Sequence, residues 1–209
     1  MFGVTVIIGT RPEAIKLAPL ILELKKHNLV KTRVILSGQH KDIVSQVMNL
    51  IKIKEDKNLL VFKKNQSLGS INAKILSKME SEFNEHQTDL VIVQGDTTTA
   101  FSAAIAAFYK KIAIAHVEAG LRTEDLYEPF PEEANRRLIS QIASLHFAPT
   151  KSSKSNLLNN GIDNKSIVIS GNTVIDALLY VANNLNPEKY KQFKDEKLIL
   201  ATIHRRENW

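Results

Sequence analysis

The sequence predicts an α/β fold, a doubly wound parallel sheet with helices on both faces. Three observations predict it. Short apolar runs rich in valine and isoleucine alternate with longer stretches of helical periodicity. The connections between runs are long enough to be crossover helices, which favours parallel pairing. Polar clusters also sort to one place: Arg11, Gln39-His40, Asp96, Glu118 and His204 each lie just after an apolar run. In an open parallel sheet the carboxyl ends of the strands form the crevice where ligands bind.

The elements follow in order. Val4–Ile8 reads as a strand, turned by Gly9-Thr10-Arg11-Pro12 into a helix whose apolar stripe is Ile15, Leu17, Leu20, Ile21 and Leu24. Thr32–Leu36 reads as the second strand, leaving through Ser37-Gly38-Gln39-His40 into an amphipathic helix from Ile43 to Leu50. Leu59–Phe62 suggests a short extra strand. Ser67 to Phe83 is a helix with Leu68, Ile71, Ile75, Leu76 and Met79 on its apolar face. Leu90–Val93 is a buried strand that ends at Gly95-Asp96, and Thr97–Thr99 open an alanine-rich helix. Ile112–Val117 is the next strand and ends at Glu118. Glu132-Glu133 sit in the first turn of a helix after Pro131, with Arg136 and Arg137 one turn on. Leu145–Ala148 and Ile167–Ile169 are strands flanking a helix, Lys151–Asn159, that Gly161 stops. A helix Val174–Asn183, a break at 183–187 and a strand Leu198–Thr202 complete the pattern. Residues 1–170 are expected to form one Rossmann-like lobe, and 171–209 a crossing helix, linker and first strand of a second lobe.

Composition narrows the function. The formal charge is +6, but the lysines are scattered along predicted helix faces rather than interleaved with aromatics. A nucleic-acid partner is therefore not expected, while an anionic small substrate fits. Cysteine is absent, which removes disulfides and thiolate chemistry. The opening MFGVTVIIGTRP lacks a basic leader, and its apolar run is too short to span a membrane. No membrane partner and a cytoplasmic location are the expectation.

The candidate chemistry is that of carboxylates, a histidine and cations. The first loop is neither GxGxxG nor GxxxxGK[ST], so no dinucleotide or ATP cofactor is expected. The six histidines are dispersed, without metal-ligand spacing, so no metal is expected. Asp96 and Glu118 end consecutive strands, and Arg11 and Lys16 stand near a helix start where an anion would sit. This set suits proton abstraction and return, glycoside chemistry, or departure of a phosphate ester. Spacing does not separate the three. Helix capping would equally employ Asp96, and a helix dipole would favour Glu132 and Glu133 where they stand.

Seven segments carry a resemblance: GTRPEAIKLAPL (9–20), SGQH (37–40), QGDTTT (94–99), HVEAGLRT (116–123), PFPEEANRR (129–137), SGNTVIDAL (170–178) and HRREN (204–208). In order and spacing the chain resembles the bacterial non-hydrolysing UDP-N-acetylglucosamine 2-epimerases. The resemblance implies interconversion of UDP-N-acetylglucosamine and UDP-N-acetylmannosamine through an enzyme-bound glycal. It implies two Rossmann-like lobes of GT-B type, no metal, no nicotinamide, a homodimer, and a product that feeds cell-surface polysaccharide synthesis. By the same resemblance Asp96, Glu118, Glu132 and His204 are catalytic, and Arg11, Lys16 and Arg136 bind substrate. With only the opening of a second lobe, these 209 residues are expected to be inactive by themselves. A hydrolysing relative, a GT-B sugar transferase and a non-catalytic nucleotide-sugar binding module are the alternatives.

Overall fold

A computed structural model describes residues 1–38, 41–63 and 65–184, together with 197, 199 and 201. Seven parallel strands form one sheet in the order β3-β2-β1-β4-β5-β6-β7. They are β1 (Phe2–Ile8), β2 (Val30–Leu36), β3 (Lys57–Asn58), β4 (Leu90–Gln94), β5 (Ala113–Val117), β6 (Leu145–Ala148) and β7 (Ile167–Ile169). The helices are α1 (Arg11–Leu24), α2 (Lys41–Leu50), α3 (Leu68–Glu85), α4 (Thr98–Tyr109), α5 (Glu132–Ile142), α6 (Lys151–Asn159) and α7 (Val174–Asn184). The predicted doubly wound sheet is what forms. None of the described helices is long and apolar enough to cross a membrane.

Strand alternation builds two cores. Val4, Val6 and Ile8 of β1 face one side with Val34 and Leu36 of β2, against Leu17 and Ile21 of α1 and Met48 of α2. Ile7 and Ile35 face the other side with Val91, Val93 and Ile114, against α3 and α4. Both faces of the central strands are covered, hence their continuous apolar runs. Ala100, Ala103, Ala104, Ala106 and Ala107 of α4 are buried, so small side chains bring that helix close to the sheet.

Two expectations shift. Leu59–Phe62 is not a strand. The bridge to β2 is Lys57–Asn58, pairing with Ile35 and Leu36. Leu59 and Val61 still donate to the carbonyls of Leu36 and Ser37. Leu60 between them has a φ of 51°, which breaks the extended run. Ile112 belongs to the end of α4 rather than to β5, because its N–H closes on the Ala107 carbonyl at 3.0 Å. The predicted strand Leu198–Thr202 and the break at 183–187 lie largely outside the described residues, as do Gln39 and His40.

The strand order reverses between β1 and β4. From β1 the chain runs outward to β2 and β3, then returns through α3 to β4 and proceeds the other way. At such a switch point the loops leaving the two central strands diverge and leave a crevice.

Candidate active site

The crevice is a cleft of about 610 Å³ lined from three loops: Thr10, Arg11 and Lys16 after β1, Gln94 to Thr97 after β4, and Glu118 with Leu121 after β5. Of the residues expected from sequence, Arg11, Lys16, Asp96 and Glu118 line it. Arg136 reaches it through Asp96. Glu132, in the first turn of α5, is half-buried and is not among the lining residues. His204 lies outside the described residues.

Glu118 is the most constrained of these. It directly follows β5 with a φ of 63°, the left-handed region that a non-glycine residue enters at a cost. Its carboxylate is held from three sides. Lys16 Nζ lies 2.7 and 2.6 Å from the two oxygens. The Gln94 amide donates to Oε2, and Asn172 Nδ2 donates to Oε1 at 3.4 Å. Strained backbone is kept where surrounding contacts over-determine it, and such positions gather at working sites. Two residues on, Gly120 has a φ of 89°, and a Cβ there would lie 2.2 Å from the Ser153 carbonyl oxygen. Only glycine lets this loop lie so close to α6.

Asp96 is held by α5. Arg136 Nε donates to Oδ2 at 3.1 Å and Nη2 donates to the same oxygen. Asn135 Nδ2 donates to the Asp96 backbone carbonyl at 2.8 Å. Arg136 Nη1 turns the other way, 2.9 Å from Oε2 of fully buried Glu133. Glu133 also takes the Arg137 Nε at 2.7 Å and the Thr123 N–H at 3.2 Å. So of the two adjacent acids, Glu133 ties α5 to the loop after β5.

Beneath the β4 turn lies His116, fully buried on β5. Its Nε2–H donates to the Gly95 carbonyl at 2.7 Å, which fixes the tautomer and leaves Nδ1 bare. Burial drives its pKa down to about 4, so the ring is neutral and braces the turn that carries Asp96.

The cleft thus collects two carboxylates on neighbouring strand ends and cations from the first loop and helix. It could move a proton beside an anionic leaving group. Glu13, Gln94 and Asn135 were given no role by the sequence. For Glu13 a signal existed: Thr10-x-x-Glu13 is a capping-box spacing. Nothing local marked the other two.

The chain is similar to known proteins in sequence and in fold. A family model described as UDP-N-acetylglucosamine 2-epimerase matches residues 22–209. The UDP-N-acetylglucosamine 2-epimerase of Neisseria meningitidis is 47% identical, over 98% of this chain and 58% of that protein. A crystal structure of the N. meningitidis enzyme bound to UDP-GlcNAc superposes with a TM-score of 0.86 at 49% identity, over 92% of this chain and 52% of that one. A putative UDP-N-acetylglucosamine 2-epimerase from Listeria monocytogenes gives 0.91 at 43% identity, over 99% of this chain and 55% of that one. The chain spans about half the length of the relatives it matches. On sequence and fold together, the chain belongs to the UDP-N-acetylglucosamine 2-epimerase family.

Proposed function

We propose that the protein bearing this chain interconverts UDP-N-acetylglucosamine and UDP-N-acetylmannosamine by the non-hydrolysing route. The observation that carries the reading is the pairing at the switch point. Asp96 and Glu118 follow adjacent strands into one cleft that Arg11 and Lys16 also line, Lys16 in contact with Glu118. A base takes the C2 proton while the C1–oxygen bond breaks and its electron pair leaves with UDP, giving a C1–C2 double bond. UDP oxygen then re-adds to C1, and C2 takes a proton on its other face. Asp96, Glu118 and Glu132, with His204, make up the acid/base set. Arg11 and Lys16 receive the departing diphosphate charge. Arg136 fixes Asp96 beside the sugar.

Residues 1–170 form the lobe that faces the sugar, and 171–209 lead into a second lobe. A homodimer, a cytoplasmic location and supply of cell-surface polysaccharide precursors complete the proposal. The 209 residues alone, at about half the relatives' length, are expected to sustain no turnover.

The test is incubation of UDP-N-acetylglucosamine in heavy water with the protein that carries this chain. Deuterium at C2 of both recovered epimers, with no free sugar, is the expected result. Free N-acetylmannosamine would establish the hydrolysing reaction instead. An unlabelled substrate would overturn the assignment. Arg11→Ala should weaken UDP affinity in calorimetry as well as turnover.

A further inference from the structure

Glu13 is in the first turn of α1, 1% exposed, and still borders the cleft. Its carboxylate joins two loops. Oε2 accepts the backbone N–H groups of Gly9, at 2.9 Å, and Thr10, at 2.5 Å. Oε1 accepts the Thr97 hydroxyl at 2.7 Å. Thr97 is the residue after Asp96 and caps α4, its Oγ1 accepting the Ala100 N–H at 3.0 Å. The same loops interlock beside this contact. A Cβ on Gly9 would lie 2.4 Å from Thr99 Oγ1 and 3.0 Å from Glu13 Oε2.

Among the described residues no cation pairs with Glu13. Burial raises its pKa, and the donors from Thr97, Thr10 and Gly9 oppose that shift. The carboxyl group sits where the amino end of α1 would otherwise draw an external phosphate. With Gly9 and Thr10 N–H taken, and with Pro12 having none, this helix end has little left to offer a diphosphate. Among the residues lining this cleft, the cationic side chains facing a substrate anion are Arg11 and Lys16.

We propose that Glu13 is a positioning residue for the reaction. It is an internal carboxyl group that fills the amino end of α1, ties that loop to the cap of α4, and so sets Asp96 relative to Lys16 and Glu118. The inference rests on the epimerase reading above. The bond that matters is Glu13 to Thr97, because it is the side-chain link between the loop carrying Arg11 and the loop carrying Asp96.

The experiment measures C2 deuterium exchange and KM in the protein that carries this chain. Glu13→Ala should lower the exchange rate at saturating substrate by roughly 10²-fold through misplacement of the acid/base groups, a larger effect than that on KM. Glu13→Gln should recover most of that loss. Its amide oxygen can take both N–H groups, and its NH₂ can donate to Thr97 Oγ1. Thr97→Val should reproduce the fall and Thr97→Ser should not, which keeps the test open if Glu13→Ala fails to fold. The Ala/Val double variant should be no slower than either single, the mark of two residues acting as one unit. A normal rate per folded molecule in Glu13→Ala, or losses that multiply in the double variant, would overturn the inference while leaving the reaction intact. A parent protein with no exchange would overturn the reaction assignment and this inference with it.

Discussion

Two shielded glutamates of this molecule are each held by an ion pair but differ in partners and surroundings. Glu82, on α3 toward the amino ends of the strands, is nearly buried, with Arg33 at 2.8 Å, Lys57 at 3.4 Å and His86 at 3.9 Å. Glu118, at the carboxyl ends, has Lys16 at 2.6 Å with the Gln94 and Asn172 amides. By charge partners alone Glu82 is the better provided. Yet Glu82 lies within a regular helix, whereas Glu118 carries a left-handed backbone and lines the 610 Å³ cleft. A shielded ion pair is therefore poor evidence of chemistry. Backbone strain at an open strand end discriminates better.

The comparison breaks most visibly in catalysis. Glu118→Gln should reduce C2 exchange by ~10²–10⁴-fold, the usual consequence of losing a placed acid/base group, with the fold intact by circular dichroism. Glu82→Gln should leave exchange at the parent level. If both variants exchanged normally, the acid/base assignment of Glu118 would fail.

In stability the order inverts. Glu82→Gln removes a charge to which Arg33 is tied and leaves the Arg33 guanidinium, 15% exposed, without its ion pair. Lys57 and His86 are about half exposed, so their share is screened by solvent. A loss of about 2 kcal/mol in urea unfolding is expected. An unchanged midpoint would mean that the cluster is only surface decoration.

The acid limb of stability sets against each other two buried groups at the carboxyl ends of the strands. His116, under the β4 turn, has a folded pKa of about 4 against an ordinary 6.5. Between these values the unfolded chain binds a proton that the folded one refuses. Stability from this group is therefore present above pH 6.5 and lost as the pH falls toward 4, by at most about 1.4 kcal/mol per unit. Glu13 acts in the opposite sense: its raised pKa makes its contribution largest at low pH and lost as the pH rises through the folded value. His116→Gln should flatten the fall in unfolding midpoint between pH 6.5 and 4. An identical slope in parent and variant would remove His116 as its source.

Much of the fold was legible in the sequence because apolar runs and turn residues are local signals. β6 and β7 fall where the runs place them, and Asp96 and Glu118 follow their strands as expected. What was hidden depends on distance or phase. Glu132 and Glu133 are one residue apart, and which one is buried depends on the rotation of α5 against the sheet, set by packing that a sequence does not display. Glu13 carried a readable capping signal, but its bond to Thr97 spans 84 positions. The left-handed φ of Glu118 has no local mark, since turn chemistry alone would favour glycine there.

The smallest effect tests the strain itself. Glu118→Ala and Glu118→Gly both delete the carboxylate and with it the contacts to Lys16, Gln94 and Asn172. Both should be inactive in exchange. They differ in the backbone: alanine keeps the Cβ that opposes a φ of 63°, and glycine does not. Glycine also widens the unfolded ensemble, which works against it. At a left-handed position the strain prevails, so the glycine variant should be the more stable by about 1 kcal/mol. The same pair at Glu82, in the last turn of α3, should show the reverse sign, alanine exceeding glycine by up to about 1 kcal/mol. Equal signs at both sites would mean that the loop after β5 relaxes to an ordinary conformation once its carboxylate is gone. The strain at Glu118 would then be imposed by the Lys16 and Gln94 contacts rather than by the turn between β5 and Gly120.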